Sequence, residues 1–239
     1  MQLDLLAIGV HPDDIELCAT GTLLKHIDLG YNCGILDLTQ GELGTRGSAE
    51  LRLQEARASA DIQGIAVREN VGMADGFFQH SKENILKIAT VLRRYRPKIV
   101  LCNAIRDRHP DHGRAAKLTA DACFYSGLRR ITTRNEDGKA QEAWRPQAVY
   151  HYIQDYNLTP DFAVDITDYM ERKLDAVMAF KSQFYDPDST EPATPISGLD
   201  FKEFLRAKAR TYGRPIGADY AEGFTVARTI GVSDLFDLT

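Results

Sequence analysis

Short apolar runs alternate along the first half of the chain with stretches whose apolar residues fall three and four apart. The runs at 3–9, 33–38, 66–71 and 98–103 read as buried strands. The stretches at 15–29, 48–63 and 83–95 read as helices that lay one face on a sheet. Ser48 stands where an N-cap belongs, and Gly64 and Pro97 fall just past helical stretches, as stop signals do. A further helix opens at 111 and runs to 125. Strands alternating with helices predict an α/β fold, a Rossmann-like, mainly parallel sheet with helices on both faces. Beyond Gly127 the pattern loosens. A polar loop spans 129–145, strands follow at 148–153 and 162–166, and helices at 169–181 and 201–212. The segment 186–198 is rich in Pro, Ser, Thr and Asp and reads as a mobile loop that could lie over a site. The tail reads as mixed short segments. No internal repeat interrupts the chain, so residues 1–239 are expected to form one domain.

Two polar strings follow two of the apolar runs. His11-Pro12-Asp13-Asp14 comes after the first, and His109-Pro110-Asp111-His112 after the fourth. In an open α/β sheet, binding groups collect beyond the carboxyl ends of the strands. His11 and Asp14, three apart, can grip one ion from a single turn, with His112 as a third ligand. Asp13 is then left to take a proton, and His109 lies near the ion without touching it. Such strings can also merely cap helices, since Asp accepts first-turn N–H groups, and Asp111 is expected to do so.

Charge and composition exclude several alternatives. A net charge of −5 gives no reason to expect nucleic acid as a partner. No apolar stretch approaches the roughly 18–20 residues that cross a bilayer, and the first residues lack a signal-peptide pattern. Cytoplasmic location is the expectation. Cys18, Cys33, Cys102 and Cys123 form no C-x-x-C pair and read as small buried hydrophobes. His26 reads as structural, and His151 as a residue that could line the site. No glycine-rich phosphate loop follows a strand, which disfavours a non-catalytic nucleotide- or sugar-binding module.

These strings, with Thr39-Gln40-Gly41-Glu42 after the second run and Glu50-Leu51-Arg52 beyond it, resemble the PIG-L/LmbE-like zinc deacetylases over essentially the whole chain. The resemblance implies Zn²⁺ held by His11, Asp14 and His112, other divalent metals being possible. It implies Asp13 as general base, then acid, and His109 as an imidazolium that steadies the oxyanion, with Asp111 orienting it. Within the family the chain is most similar to the bacillithiol-pathway branch, the N-acetylglucosaminyl-malate deacetylases. The features are Arg106-Asp107-Arg108, Lys181-Ser182-Gln183-Phe184 and Tyr220-Ala221-Glu222-Gly223-Phe224. The implied substrate is that small amino-sugar conjugate; acetylated chitobiose or a related glucosamine conjugate is the alternative. Arg52, Arg108, Glu42 and Tyr185 are the substrate-binding candidates, the arginines for malate carboxylates. Arg52 has a plain alternative, pairing with Glu55 along a solvated helix face. Relatives assemble as trimers or hexamers, so a homo-oligomer is expected.

Overall fold

The computed structural model describes residues 1–238. Seven strands form one sheet: β1 (Leu5–Gly9), β2 (Cys33–Thr39), β3 (Val67–Met73), β4 (Ile99–Cys102), β5 (Ala148–Tyr152), β6 (Phe162–Asp165) and β7 (Ala221–Val226). Their order across the sheet is β3-β2-β1-β4-β5-β7-β6. The first five are parallel; β7 runs antiparallel to both β5 and β6. Among the described residues no helix is long and apolar enough to cross a membrane.

The helices are α1 (Asp14–Cys18), α2 (Thr20–Asp28), α3 (Ala49–Gln63), α4 (Lys82–Tyr95), α5 (Pro110–Ser126), α6 (Met170–Met178) and α7 (Phe201–Gly213). They cover both faces, which is why β1 and β2 are buried at every position. Alternate residues of β1 serve different cores. Leu6 and Ile8 pack with Ile88 and Leu92 of α4 and Leu118 of α5, whereas Leu5 and Ala7 pack with Ile15 of α1 and Leu23 of α2. Ser48 caps α3 by accepting the Leu51 N–H, and Gly64 ends it at φ 74°.

Two expectations are corrected. The helix foreseen at 15–29 is broken at Ala19, whose φ of −139° separates α1 from α2. The break lets the first amides of α2, Gly21 and Thr22, donate to the Glu222 carboxylate at 2.9 and 2.7 Å. The tail is not a set of loose segments: β7 is a buried strand, hidden in the sequence because Glu222 and Gly223 interrupt its apolar run.

Chain order turns back at β1. From it the chain goes to β2 and β3 on one side, and β4 lies on the other. Loops leaving β1 and β4 therefore part at the sheet's carboxyl edge and leave a crevice between them. Both polar strings emerge into it.

Candidate metal centre

Asp14 opens α1, and its carboxylate folds back over the end of β1. Oδ2 accepts N–H groups from Val10 (3.0 Å), His11 (3.0 Å) and the Asn103 side chain (2.9 Å). Oδ1 accepts one, from Gln154 Nε2 at 3.0 Å, and faces His112 Nε2 at 3.1 Å. Oδ2 is thus saturated, while Oδ1 keeps a lone pair for another ligand. Burial alone would raise this pKa, but His112, His11 and the backbone donors hold the group well below the usual carboxylate range.

Asp13 has a backbone φ of 135°, a conformation that costs a non-glycine residue about 1–3 kcal/mol. The twist separates the two neighbouring carboxylates. That of Asp13 lines the cleft, and among the described residues no donor is hydrogen-bonded to it. Burial, reinforced by the Asp14 charge and opposed by Arg52, pushes it up to about 7.

Each flanking imidazole has one nitrogen turned inward and one held by a carboxylate. His11 Nδ1 lies 3.8 Å from Asp14 Oδ2, and its Nε2 bonds Asp75 Oδ1 at 3.0 Å. His112 Nδ1 bonds Asp107 Oδ2 at 2.5 Å, leaving Nε2 toward Asp14. Ligand atoms on a tetrahedral zinc stand about 3.4 Å apart, since each bond is about 2.0–2.2 Å. The 3.1 Å between Asp14 Oδ1 and His112 Nε2 suits that, whereas His11 Nδ1 stands wider, 3.8 Å from the saturated Oδ2, and carboxylates on the far nitrogens are the usual support for ligating imidazoles. Ring nitrogens of His11, His109 and His112 also lie within 4.8 Å of one another. The charge fits a cation as well. Burial alone would lower both rings, yet Asp111, Asp75, Asp14 and Asp13 push His11 up to about 10, and Asp14 and Asp107 push His112 up to about 9. The surrounding carboxylates demand positive charge where a divalent ion would sit.

The second string behaves differently from expectation at two points. The His109 ring, not Asp111, caps α5: His109 Nδ1 accepts the Asp111 N–H at 3.2 Å. Asp111 does not orient His109; its Oδ2 accepts the Gly76 N–H at 2.9 Å and lies 3.6 Å from His11 Nε2. Burial and the nearby His11 and His112 lower the His109 pKa. A neutral ring that accepts at Nδ1 has its proton on Nε2, so His109 offers an N–H donor rather than an imidazolium.

A cleft of about 500 Å³ extends from this centre. Arg52 lines it, buried, with its guanidinium packed against Gly41 and Gly44, and among the described residues it forms no ion pair. The pairing with Glu55 is absent, because Glu55 instead accepts from the Ser182 N–H and hydroxyl at 2.7 and 2.6 Å. Arg108 lines the cleft but is tied to Asp155 at 2.8 Å. Glu42 is not in the lining; its Oε1 accepts the Asp75 N–H at 2.8 Å and so fixes the carboxylate behind His11. Tyr185 is exposed and also outside the lining, whereas Thr194, Pro195 and Ile196 of the 186–198 segment form part of it. That segment is fastened by Arg46 to Ser189 at 2.6 Å. His151 lies behind the site, its Nδ1 bonded to the Asn103 carbonyl at 2.8 Å. His26 bonds its own helix at Thr22, and all four cysteines are free and buried.

Sequence reasoning did not single out Asp75, Asn103 or Gln154, and it quoted Asp107 within Arg106-Asp107-Arg108 without a role. Each lies just past the carboxyl end of β3, β4 or β5, the one signal that could have found them.

The sequence profile described as PIG-L: GlcNAc-PI de-N-acetylase matches residues 6–123. The chain is 34% identical over 228 residues to the diacetylchitobiose deacetylase of Thermococcus kodakarensis, covering 91% of this chain and 80% of that one. It is 26% identical over 204 residues to the 4-oxalmesaconate hydratase of Pseudomonas putida, covering 76% and 74%. A solved structure of a conserved protein from Thermus thermophilus superposes with a TM-score of 0.85 at 35% identity, over 97% of each chain.

Proposed function

The chain belongs to the PIG-L family, and we propose that it is a metal-dependent hydrolase that removes the acetyl group from an N-acetylglucosamine unit, releasing acetate and a free amine. The observation that carries this reading is a carboxylate without a hydrogen-bond donor, Asp13, beside an N/O donor set in which Asp14 Oδ1 faces His112 Nε2 at 3.1 Å. His11, Asp14 and His112 would hold the ion. When bound, it polarises the acetamide carbonyl and lowers the pKa of water. Asp13 takes a proton from the attacking water and returns it to the departing amine nitrogen. His109 Nε2–H donates to the carbonyl oxygen as negative charge develops there, a contribution of about 3 kcal/mol at comparable sites. Zinc suits the donor set, which also accepts Fe²⁺, Mn²⁺ or Co²⁺.

The diacetylchitobiose deacetylase relative favours a glycoside of the chitobiose kind over the malate conjugate. One observation keeps the malate conjugate as a second reading: among the described residues the buried Arg52 guanidinium forms no ion pair, although its charge reaches Asp13, and malate would bring two carboxylates.

The test is acetate release by purified protein from N,N'-diacetylchitobiose and from N-acetylglucosaminyl-malate, with metal content measured in parallel. We expect release with about one ion per chain, and a fall of about 10²–10⁴-fold in kcat/KM for Asp13→Asn. No acetate from either compound by metal-loaded protein, or hydration of 4-oxalmesaconate instead, would sink the reading. A tenfold preference for the malate conjugate would favour the second.

A further inference from the structure

Helix α7 presents Phe201, Phe204, Leu205 and Lys208 to the cleft, a single helix face by their spacing of three, four and seven. Three of these are apolar, and Leu17 and Ile196 continue the same wall. Lys208 is the exception. Its ammonium has three N–H donors, and one is used, toward the Asp155 carbonyl oxygen at 3.1 Å. The carboxylates whose charge reaches it are engaged elsewhere. Asp155 Oδ2 accepts from Arg108 Nε at 2.8 Å; Asp107 accepts from His112 at 2.5 Å and from the Tyr156 N–H at 2.8 Å. Cys18, also in the lining, is a neutral thiol, because burial pushes its pKa well above the ordinary value. Among the described residues Lys208 forms no ion pair, although it is half withdrawn from water. A cation so placed keeps two donors free for water or for an anion in the cleft.

We propose that Lys208, in the cleft wall beside Cys18 and Asp155, forms an anion-binding subsite, which receives a carboxylate or phosphate borne by the group attached to the sugar. This rests on the reading above for the acetamide at the metal centre, and it takes the second substrate of that reading, the anionic conjugate, over chitobiose. Arg52, on α3, lines the same cleft and is the second cation that such an anion could meet. Lys208 would therefore set which conjugates are accepted, acting as a point charge that either anion satisfies.

Binding of reaction products tests this without turnover. Metal-loaded protein is titrated calorimetrically with glucosaminyl-malate, with glucosamine 1-phosphate and with mono-N-acetylchitobiose, which carries the same single amine and no anionic group. For the wild type, the Kd of at least one anionic compound should lie below that of mono-N-acetylchitobiose. In Lys208→Met, which keeps the apolar stem, the ratio of the anionic to the anion-free Kd should rise at least tenfold, and Lys208→Arg should restore most of it. The malate and phosphate arms tell which anion is meant. An unchanged ratio for both anions in Lys208→Met overturns the proposal, as does an unchanged ratio in Lys208→Glu should the Met variant fail to fold. Absence of acetate release would sink the proposed reaction while leaving this comparison readable.

Discussion

Asp107 shows how much of the centre depends on side chains that would not touch an ion. It grips His112 Nδ1 while the Tyr156 N–H fixes its other oxygen, so the ring has one orientation available. Replacing Asp107 by Asn should lower metal affinity about 10–100-fold, read by competition against a chelator of known strength. Unchanged affinity would mean that His112 is not a ligand. The six residues His11, Asp13, Asp14, His109, Asp111 and His112 were legible in the sequence because they stand in two contiguous strings at strand ends. Asp75, Asn103 and Gln154 were not, because nothing local marks them, and Asp107 was quoted only as part of Arg106-Asp107-Arg108, without a role; these roles exist only once neighbouring strands bring them beside Asp14 and the rings. The surroundings of His109 were not legible either: burial and two imidazoles lower its pKa, and the Asp111 amide donates to its Nδ1, only in the folded chain.

At the level of elements, the parallel strands and the helices between them were legible from the apolar runs, whereas β7 was masked by a buried acid. The turn after β2 is a further case. Gly41 has φ 65°, and a Cβ there would fall 2.2 Å from Arg52 Nη1. Gly41→Ala should destabilise the protein by about 1 kcal/mol or more. It should also raise KM, since the guanidinium must leave its seat; denaturant titration and steady-state kinetics check the two parts separately. Between β4 and β5, His151 is buried and bonded to the Asn103 carbonyl, and burial lowers its pKa. The unfolded chain, with a histidine pKa of about 6.5, then binds a proton that the native state refuses. Stability from this group is present above about pH 6.5 and is lost as pH falls toward its folded value. Wild-type protein should therefore lose denaturant resistance between pH 7 and 5 more steeply than His151→Gln does. Parallel pH slopes for the two proteins would contradict this.

Over the whole molecule, Glu222 joins three distant parts of the chain. From β7 it accepts the first amides of α2, and it pairs with Lys173 of α6 at 2.6 Å, both side chains being almost fully buried. Breaking such a pair by removing one charge costs about 3–5 kcal/mol. Glu222→Gln should lower Tm by roughly 6–20 °C, at about 2–4 °C per kcal/mol for a chain of this size. A calorimetric shift under about 3 °C would show that Lys173 finds another partner. The same clasp bears on how far the protein can be pared down. Every acid and imidazole assigned to the centre lies within the half of the chain that the family profile spans. An engineer who excised that half would take the whole chemical kit, yet abandon the far carboxylate that stitches shut the helix behind it. The reactive groups are local in the gene, but the rigidity that aims them is not.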